Sequence, residues 1–214
     1  MLRRSIFPIV ILTLCAHLGV DAQKLYYDVV KGNKTLGSMV VERSKLGSET
    51  VFKVDSKVDY RLLLSFKIDY QAEERFVNGI LTDGSAINTL NGKVQKHSVV
   101  KWDGDQYVIN LNGELTHFNN NGIVFSIPHL YYNEPVNQQR VFSQQFGAFV
   151  PMYEDEPKVY VLDSPDGKNY YTYNAEGICE EVKVSRTYAT FYFRLKEKVD
   201  DRKGPKGKKI SDSQ

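Results

Sequence analysis

The chain has 214 residues, 42% hydrophobic and 25% charged, with 15 Gly, 7 Pro, 2 Cys and a formal net charge of +2. This is ordinary globular composition, which excludes collagen-like, mucin-like and disordered classes. Two cysteines permit one disulfide at most, so a disulfide scaffold or a multi-cysteine zinc module is excluded as well.

Residues 1–22 read as a secretory signal peptide. Arg3 and Arg4 form a basic start, Ile6 to Leu18 is mostly apolar, and Val20-Asp21-Ala22 suits a signal peptidase cutting before Gln23. The apolar run falls short of the ~20 residues that span a bilayer, so no transmembrane segment is expected after cleavage. The protein is therefore expected to be exported, as a periplasmic or outer-envelope protein. Cleavage would remove Cys15 and leave Cys179 as the one cysteine, which rules out an internal disulfide.

From Phe52 onward the sequence alternates with period two. Phe52, Val54, Val58, Tyr60, Leu62, Leu64, Phe66, Ile68, Tyr70 and Ala72 occupy even positions, while Lys53, Asp55, Lys57, Asp59, Lys67, Asp69 and Glu73 occupy odd ones. That period belongs to strands, with one face apolar and the other wet. One strand of that length would overrun a compact domain, so a break is expected near Arg61 to Ser65. Parity survives the break, and both halves therefore turn their apolar side to one interior.

Similar strand-like runs elsewhere are separated by turn dipeptides: Gly32-Asn33, Gly47-Ser48, Asn78-Gly79, Asn91-Gly92, Asp103-Gly104, Asn112-Gly113 and, later, Pro165-Asp166-Gly167. The fold class is thus all-β, a large curved antiparallel sheet or open half barrel of roughly ten to twelve strands. Residues 124–156 interrupt the pattern with prolines and clustered aromatics, and are expected to form loops and short helical turns that cover the concave face as a lid or plug. The predicted domain is residues 23–195. The tail, residues 196–214, has seven basic and four acidic residues and little apolar content, and is read as disordered and solvated. Removing signal and tail leaves the body at net −2, so the mild basicity of the whole chain belongs to its ends.

A serine-hydrolase elbow, an HExxH zinc motif, a Walker loop and a GxGxxG fingerprint are all missing. His97, His117 and His129 lie in different elements without metal-ligand spacing, and no cofactor or metal is expected. Asp103-Gly104-Asp105 lacks a calcium-loop pattern and reads as a hairpin turn. Glu154-Asp155-Glu156 reads as exposed loop charge. Cys179, flanked by Glu180 and Glu181, is a poor nucleophile. The aromatic content, 14 Tyr, 11 Phe and 1 Trp, includes too many phenols to hide without partners.

Tyr27-Asp28-Val29 with Lys34-Thr35-Leu36-Gly37, the run ending Phe66-Lys67-Ile68-Asp69-Tyr70, the Asn91-Gly92 hairpin, and Phe142-Ser143-Gln144-Gln145-Phe146-Gly147 occur in an order that resembles an uncharacterised family of secreted Gram-negative envelope proteins, a domain of unknown function, over residues 24–195. The resemblance implies an architecture similar to periplasmic lipoprotein carriers, in which a curved sheet surrounds an apolar cavity. It implies no catalytic residues. The chain lacks the amphipathic helices that cover the sheet in those carriers.

The expected function is non-enzymatic binding of an apolar or lipid-like ligand, or of an envelope protein partner, on the concave face. Phe66, Trp102, Tyr131, Tyr132, Phe142, Phe146 and Phe149 are the expected cavity wall or lid, and nucleic acid is not an expected partner. Two alternatives stand beside it: a hydrolase of envelope glycans or peptides using paired carboxylates with His129, and a purely structural β interaction module.

Overall fold

The computed structural model describes residues 21–61, 65–119, 121–186 and 189–202. Eight strands come first: β1 (Asp21–Lys31), β2 (Lys34–Leu46), β3 (Glu49–Arg61), β4 (Ser65–Val77), β5 (Ile80–Leu90), β6 (Lys93–Trp102), β7 (Tyr107–Leu111) and β8 (Glu114–Phe118). A one-turn helix, α1 (His129–Tyr132), precedes β9 (Arg140–Ser143), β10 (Ala148–Glu156), β11 (Val159–Ser164), β12 (Gly167–Tyr173), β13 (Cys179–Arg186) and β14 (Ala189–Arg202). The predicted signal peptide lies outside the described residues except for Asp21 and Ala22, which begin β1.

All fourteen strands form one sheet in the order β8-β7-β6-β5-β4-β3-β2-β1-β14-β13-β12-β11-β10-β9. Every named pairing is antiparallel, and the first and last strands meet through β1 and β14 at the centre. Its ends, β8 and β9, are not paired with each other, so the sheet is barrel-like without closing. It curls far enough that Phe118 of β8 stacks on Phe149 of β10, their ring centres 6.0 Å apart.

The long alternating run becomes the β3–β4 hairpin, broken where expected, with Phe52 opposite Glu74, Val54 opposite Ala72, Ser56 opposite Tyr70, Val58 opposite Ile68 and Tyr60 opposite Phe66. These pairs form one inward row. Asn78-Gly79, Asn91-Gly92 and Asn112-Gly113 turn their hairpins with both residues at positive φ, the backbone twist that suits two-residue connections between right-twisted strands.

Two expectations change. The segment 124–156 is not free of strands, because it contains β9 and β10. Val150 and Met152 point inward while Pro151 and Tyr153 point out, and Pro151 sits where β10 exchanges one partner for another. Residues 148–151 pair with β9 and residues from Met152 onward pair with β11, so the missing proline N–H falls at the changeover. Glu154-Asp155-Glu156 accordingly ends a strand rather than lying in a loop. The second change concerns residues 196–202: they continue β14 against β1, with Arg202 opposite Asp21, although the sequence reading assigned them to a solvated tail. The charges of Lys196, Glu197, Lys198, Asp200 and Asp201 face water on both sides of a strand whose backbone is paired.

The connection from β8 to β9 enters the concave side. Leu81 N–H of β5 donates to Ile123 O at 2.9 Å, and a single parallel bridge joins Ser126 to Phe142. Tyr107, wholly buried, donates its hydroxyl to Leu81 O at 2.9 Å and accepts Ile123 N–H at 2.8 Å. Tyr107→Phe strips both bonds from buried backbone groups and is expected to cost about 1–3 kcal/mol. Urea unfolding should show a lower midpoint with an unchanged slope.

Candidate ligand cavity

The inward row of β3 and β4 is longer than the segment that covers it. Near Phe52 and Phe76 the row is sealed by α1 and its flanks: Leu130, Tyr131, Tyr132, Val141 and Phe142 are all buried. Farther along, Val58, Tyr60, Phe66, Ile68 and Tyr70 keep only partial burial. One half of the curled sheet is therefore filled by the chain's own side chains, and the other half is open.

The open half is a cavity of about 550 Å³, within the ~300–1,000 Å³ range typical of small-molecule sites. Its walls are Val29 and Met39 of β1 and β2, Val54, Val58 and Ile68 of the hairpin, and Val182, Val184, Phe191 and Phe193 of β13 and β14. Tyr70, Tyr131 and Tyr171 add phenol edges. Its polar groups are Ser56 on the wall and Asn88, Gln145, Asp166, Asn169 and Arg186. Beyond Ile68 and Phe191 the apolar surface continues over Tyr60, Phe66 and Leu90.

The phenols inside find partners where the sheet is closed. Tyr27 Oη donates to Cys179 O at 2.7 Å, Tyr173 Oη to Leu130 O at 2.8 Å, and Tyr132 Oη to Val41 O at 2.7 Å. Most of these bonds tie α1 and its flanks to strands, so the tyrosines hold the plug in place. Across the mouth, Ser98 Oγ donates to Gln144 O at 2.5 Å, and Asp166 accepts from Lys96 Nζ at 2.8 Å and Gln145 Nε2 at 3.1 Å. β6 is stitched in this way to the β11–β12 turn without any ladder between them.

Of the seven residues chosen from sequence, Tyr131 lines the cavity and Phe66 lines its outer extension. Phe142 is fully buried core, and Tyr132 packs on Phe52 beneath the Arg43 guanidinium. Trp102 stacks on Tyr107, Phe149 packs against Phe118 and Phe142, and Phe146 lies under Lys96 Nζ. These five hold the plug and the sheet edges together and do not face the cavity. The wall residues that were not chosen, Val54, Val58 and Ile68 among them, belong to the alternating face already visible in the sequence.

A second cluster sits behind the plug. Glu74, on the inward row of β4, accepts a short hydrogen bond from the Ser126 hydroxyl. His129 Nδ1 lies 3.1 Å from the same hydroxyl and 3.3 Å from the Ser126 N–H, which donates to it. The rings of Phe52, Phe76 and Phe125 surround the imidazole at 4.5, 4.7 and 5.1 Å. Burial raises the Glu74 carboxyl to about 7, against a smaller lowering by the Ser126 bond. Burial also lowers His129 to about 4, with the Arg43 charge acting in the same direction. The Ser126 proton faces the carboxylate rather than the imidazole, and Ser126 and Glu74 are shut off from solvent. A base taking the hydroxyl proton and a path for substrate are what nucleophilic catalysis requires; this arrangement instead anchors the plug to β4.

The convergence that a carboxylate-and-histidine hydrolase needs is not formed among the described residues. Glu74 is linked to His129 only through the Ser126 hydroxyl between them, while His97 and His117 are exposed on β6 and β8. No group of three or more His, Cys, Asp or Glu side chains able to hold a metal ion occurs among the described residues. Asp103 caps its turn by accepting Asp105 N–H and Gln106 N–H at 3.0 and 2.8 Å. Cys179 is buried and its thiol is pushed well up by desolvation. No helix among the described residues is long and apolar enough to cross a membrane.

A curled antiparallel sheet holding its own plug and a residual apolar cavity defines a barrel-like β protein. The fold is similar to that in the crystal structure of a beta-barrel-like protein of domain of unknown function DUF1849 from Brucella abortus. The TM-score is 0.53 at 13% identity, covering 86% of this chain and 100% of that one. The chain belongs to the family described as Domain of unknown function (DUF6134), whose model matches residues 27–196. No curated protein matches it.

Proposed function

We propose that the protein is an exported, non-catalytic carrier or sensor that holds an apolar or lipid-like ligand in the open half of its sheet. The observation that supports this reading is the mismatch between wall and plug. The inward face of β3 and β4 continues as Val58, Tyr60, Phe66 and Ile68 well past the last plug residue that could cover it, and a cavity of about 550 Å³ remains. A protein selected only for stability gains from filling such a space, since voids forfeit dispersion and transfer energy. Export rests on the Arg3–Ala22 pattern.

Protein purified from the envelope of its native host should carry a small apolar adduct in native mass spectrometry, recoverable by lipid extraction. Val58→Trp, which places an indole in the cavity, should lose the adduct while keeping its fold. A clean apo mass for the parent protein would end this reading.

A further inference from the structure

One transverse row of the cavity wall is polar where its neighbours are not. Ser56 of β3 stands opposite Tyr70 of β4, and Tyr70 opposite Asn88 of β5; all three line the cavity. The next row toward the plug is Val54, Ala72 and Ala86, and the next toward the open end is Val58, Ile68 and Leu90. Ser56 is only 7% exposed, and among the described residues none of the three side chains has a hydrogen-bond partner. The phenols that pin the plug differ in this respect, since Tyr27, Tyr132 and Tyr173 all donate to backbone carbonyls. Tyr131 of α1 reaches only the Met39 thioether, at 3.7 Å, a weak acceptor. Met39 is the β2 partner of Ser56, so a further hydroxyl ends beside the same row.

Withdrawing hydroxyls and an amide from water without giving them partners costs stability, and a molecule filling the cavity can supply those partners. Serine and tyrosine hydroxyls and a carboxamide each donate and accept, which suits an alcohol or a carbonyl. A charged head would lose its hydration here. The row itself holds no charge, Lys96 at its β6 end is paired with Asp166, and Arg186 elsewhere on the lining is held by Asn169 Oδ1 and Ser185 O. Outward from the row the wall is formed by Val58, Ile68, Phe66 and the Tyr60 ring. From Ser56 to Tyr60 it runs about 13 Å at the ~3.3 Å rise of a strand.

We infer that the ligand is a neutral amphiphile bound head first: an apolar body ending in one small uncharged hydroxyl or carbonyl group, held by Ser56, Tyr70 and Asn88 while the body lies along Val58 and Ile68 toward the open end. This deepens the ligand reading above and rests on it. Tyr70 is the principal partner of the head, because it stands between the other two in the row.

The test is displacement of 1-N-phenylnaphthylamine, a neutral fluorescent dye, from the purified protein. Three competitors share one chain and differ in the head: 1-decanol, decanoate and decyl β-glucoside. Decanol should compete tenfold or more better than decanoate, whose head is charged, and than the glucoside, whose head is neutral but too bulky to enter first. Tyr70→Phe, which keeps the ring and loses the hydroxyl, and Ser56→Ala should each weaken decanol about threefold to tenfold, the worth of one hydrogen bond. Circular dichroism shows that both variants are folded. If decanoate or the glucoside competes as well as decanol, the head lies at the mouth and the inference is overturned while the cavity reading stands. Decanol competition unchanged in both variants overturns it equally. If neither the dye nor any chain binds, the cavity reading fails with it.

Discussion

Phe52→Ala is expected to cost about 3–5 kcal/mol, the usual range for deleting a well-packed buried aromatic. Phe52 is 2% exposed, and its ring packs against Phe76, His129 and Tyr132 at centre distances of 5.8, 4.5 and 5.9 Å. It is thus the point where the sheet wall and the plug close on one another. Phe66→Ala removes the same side chain from the same inward row, but at the open end, where the ring is only half covered and already borders open space. Its cost should be below about 1 kcal/mol, because most of the transfer term is absent and no new void forms inside packed atoms. Urea midpoints of the two variants measure the difference. Equal costs would mean that the two halves of the row are packed alike.

That asymmetry marks what the sequence could express. The alternation from Phe52 to Ala72, with its break at Arg61 to Ser65, is a local property of the chain, and so are the three Asn-Gly turns; these carried the antiparallel architecture. How far along the row a covering segment reaches is a non-local property, set by where the α1 region lands after some 50 residues of intervening chain. Aromatic residues in that region therefore looked like cavity lining, whereas Phe142 and Tyr132 are plug core and Phe149 and Trp102 close sheet edges. Strands β9 and β10 were hidden because Pro151 reads as a breaker until the partner changeover beside it is known. Lys196–Arg202 was hidden because a strand with both faces wet has no apolar alternation. Glu74 was legible. Extending the even-numbered face by one step beyond Ala72 puts a carboxylate on the inward side, and a charge at an inward position calls for a buried partner.

Glu74 and His129 yield the second large effect, in opposite directions along the pH axis. Glu74 titrates at about 7 in the folded protein against an ordinary 4.5. Its contribution to stability is therefore fully present below about 4.5 and lost as pH rises through 7. His129 titrates at about 4 against an ordinary 6.5, so its contribution is fully present above about 6.5 and lost as pH falls through 4. Between those limits the unfolded chain carries its proton on the histidine and the folded protein carries it on the glutamate. Folding moves one proton without taking one up, and the pair leaves stability flat with pH.

Removing either partner breaks the cancellation. Measured as variant minus parent, the stability of Glu74→Gln should be lowest near pH 4.5 and climb until about pH 7, while that of His129→Asn should fall from pH 4 to about 6.5. Each change is of order 3 kcal/mol at most, the linkage value of the two separations. Urea unfolding at half-unit steps from pH 4 to 8 reads both curves, and the opposed slopes distinguish the pair from any general acid destabilisation, which would tilt both variants the same way. Two curves parallel to the parent would show that neither group is desolvated in the folded state, and with that the anchoring of the plug through Ser126 would lose its basis. Glu74→Leu supplies the remaining comparison: it removes the buried carboxyl that Ser126 binds, so its plug should loosen at every pH, with Tyr132 and Phe52 losing their near-UV signature before the sheet itself unfolds.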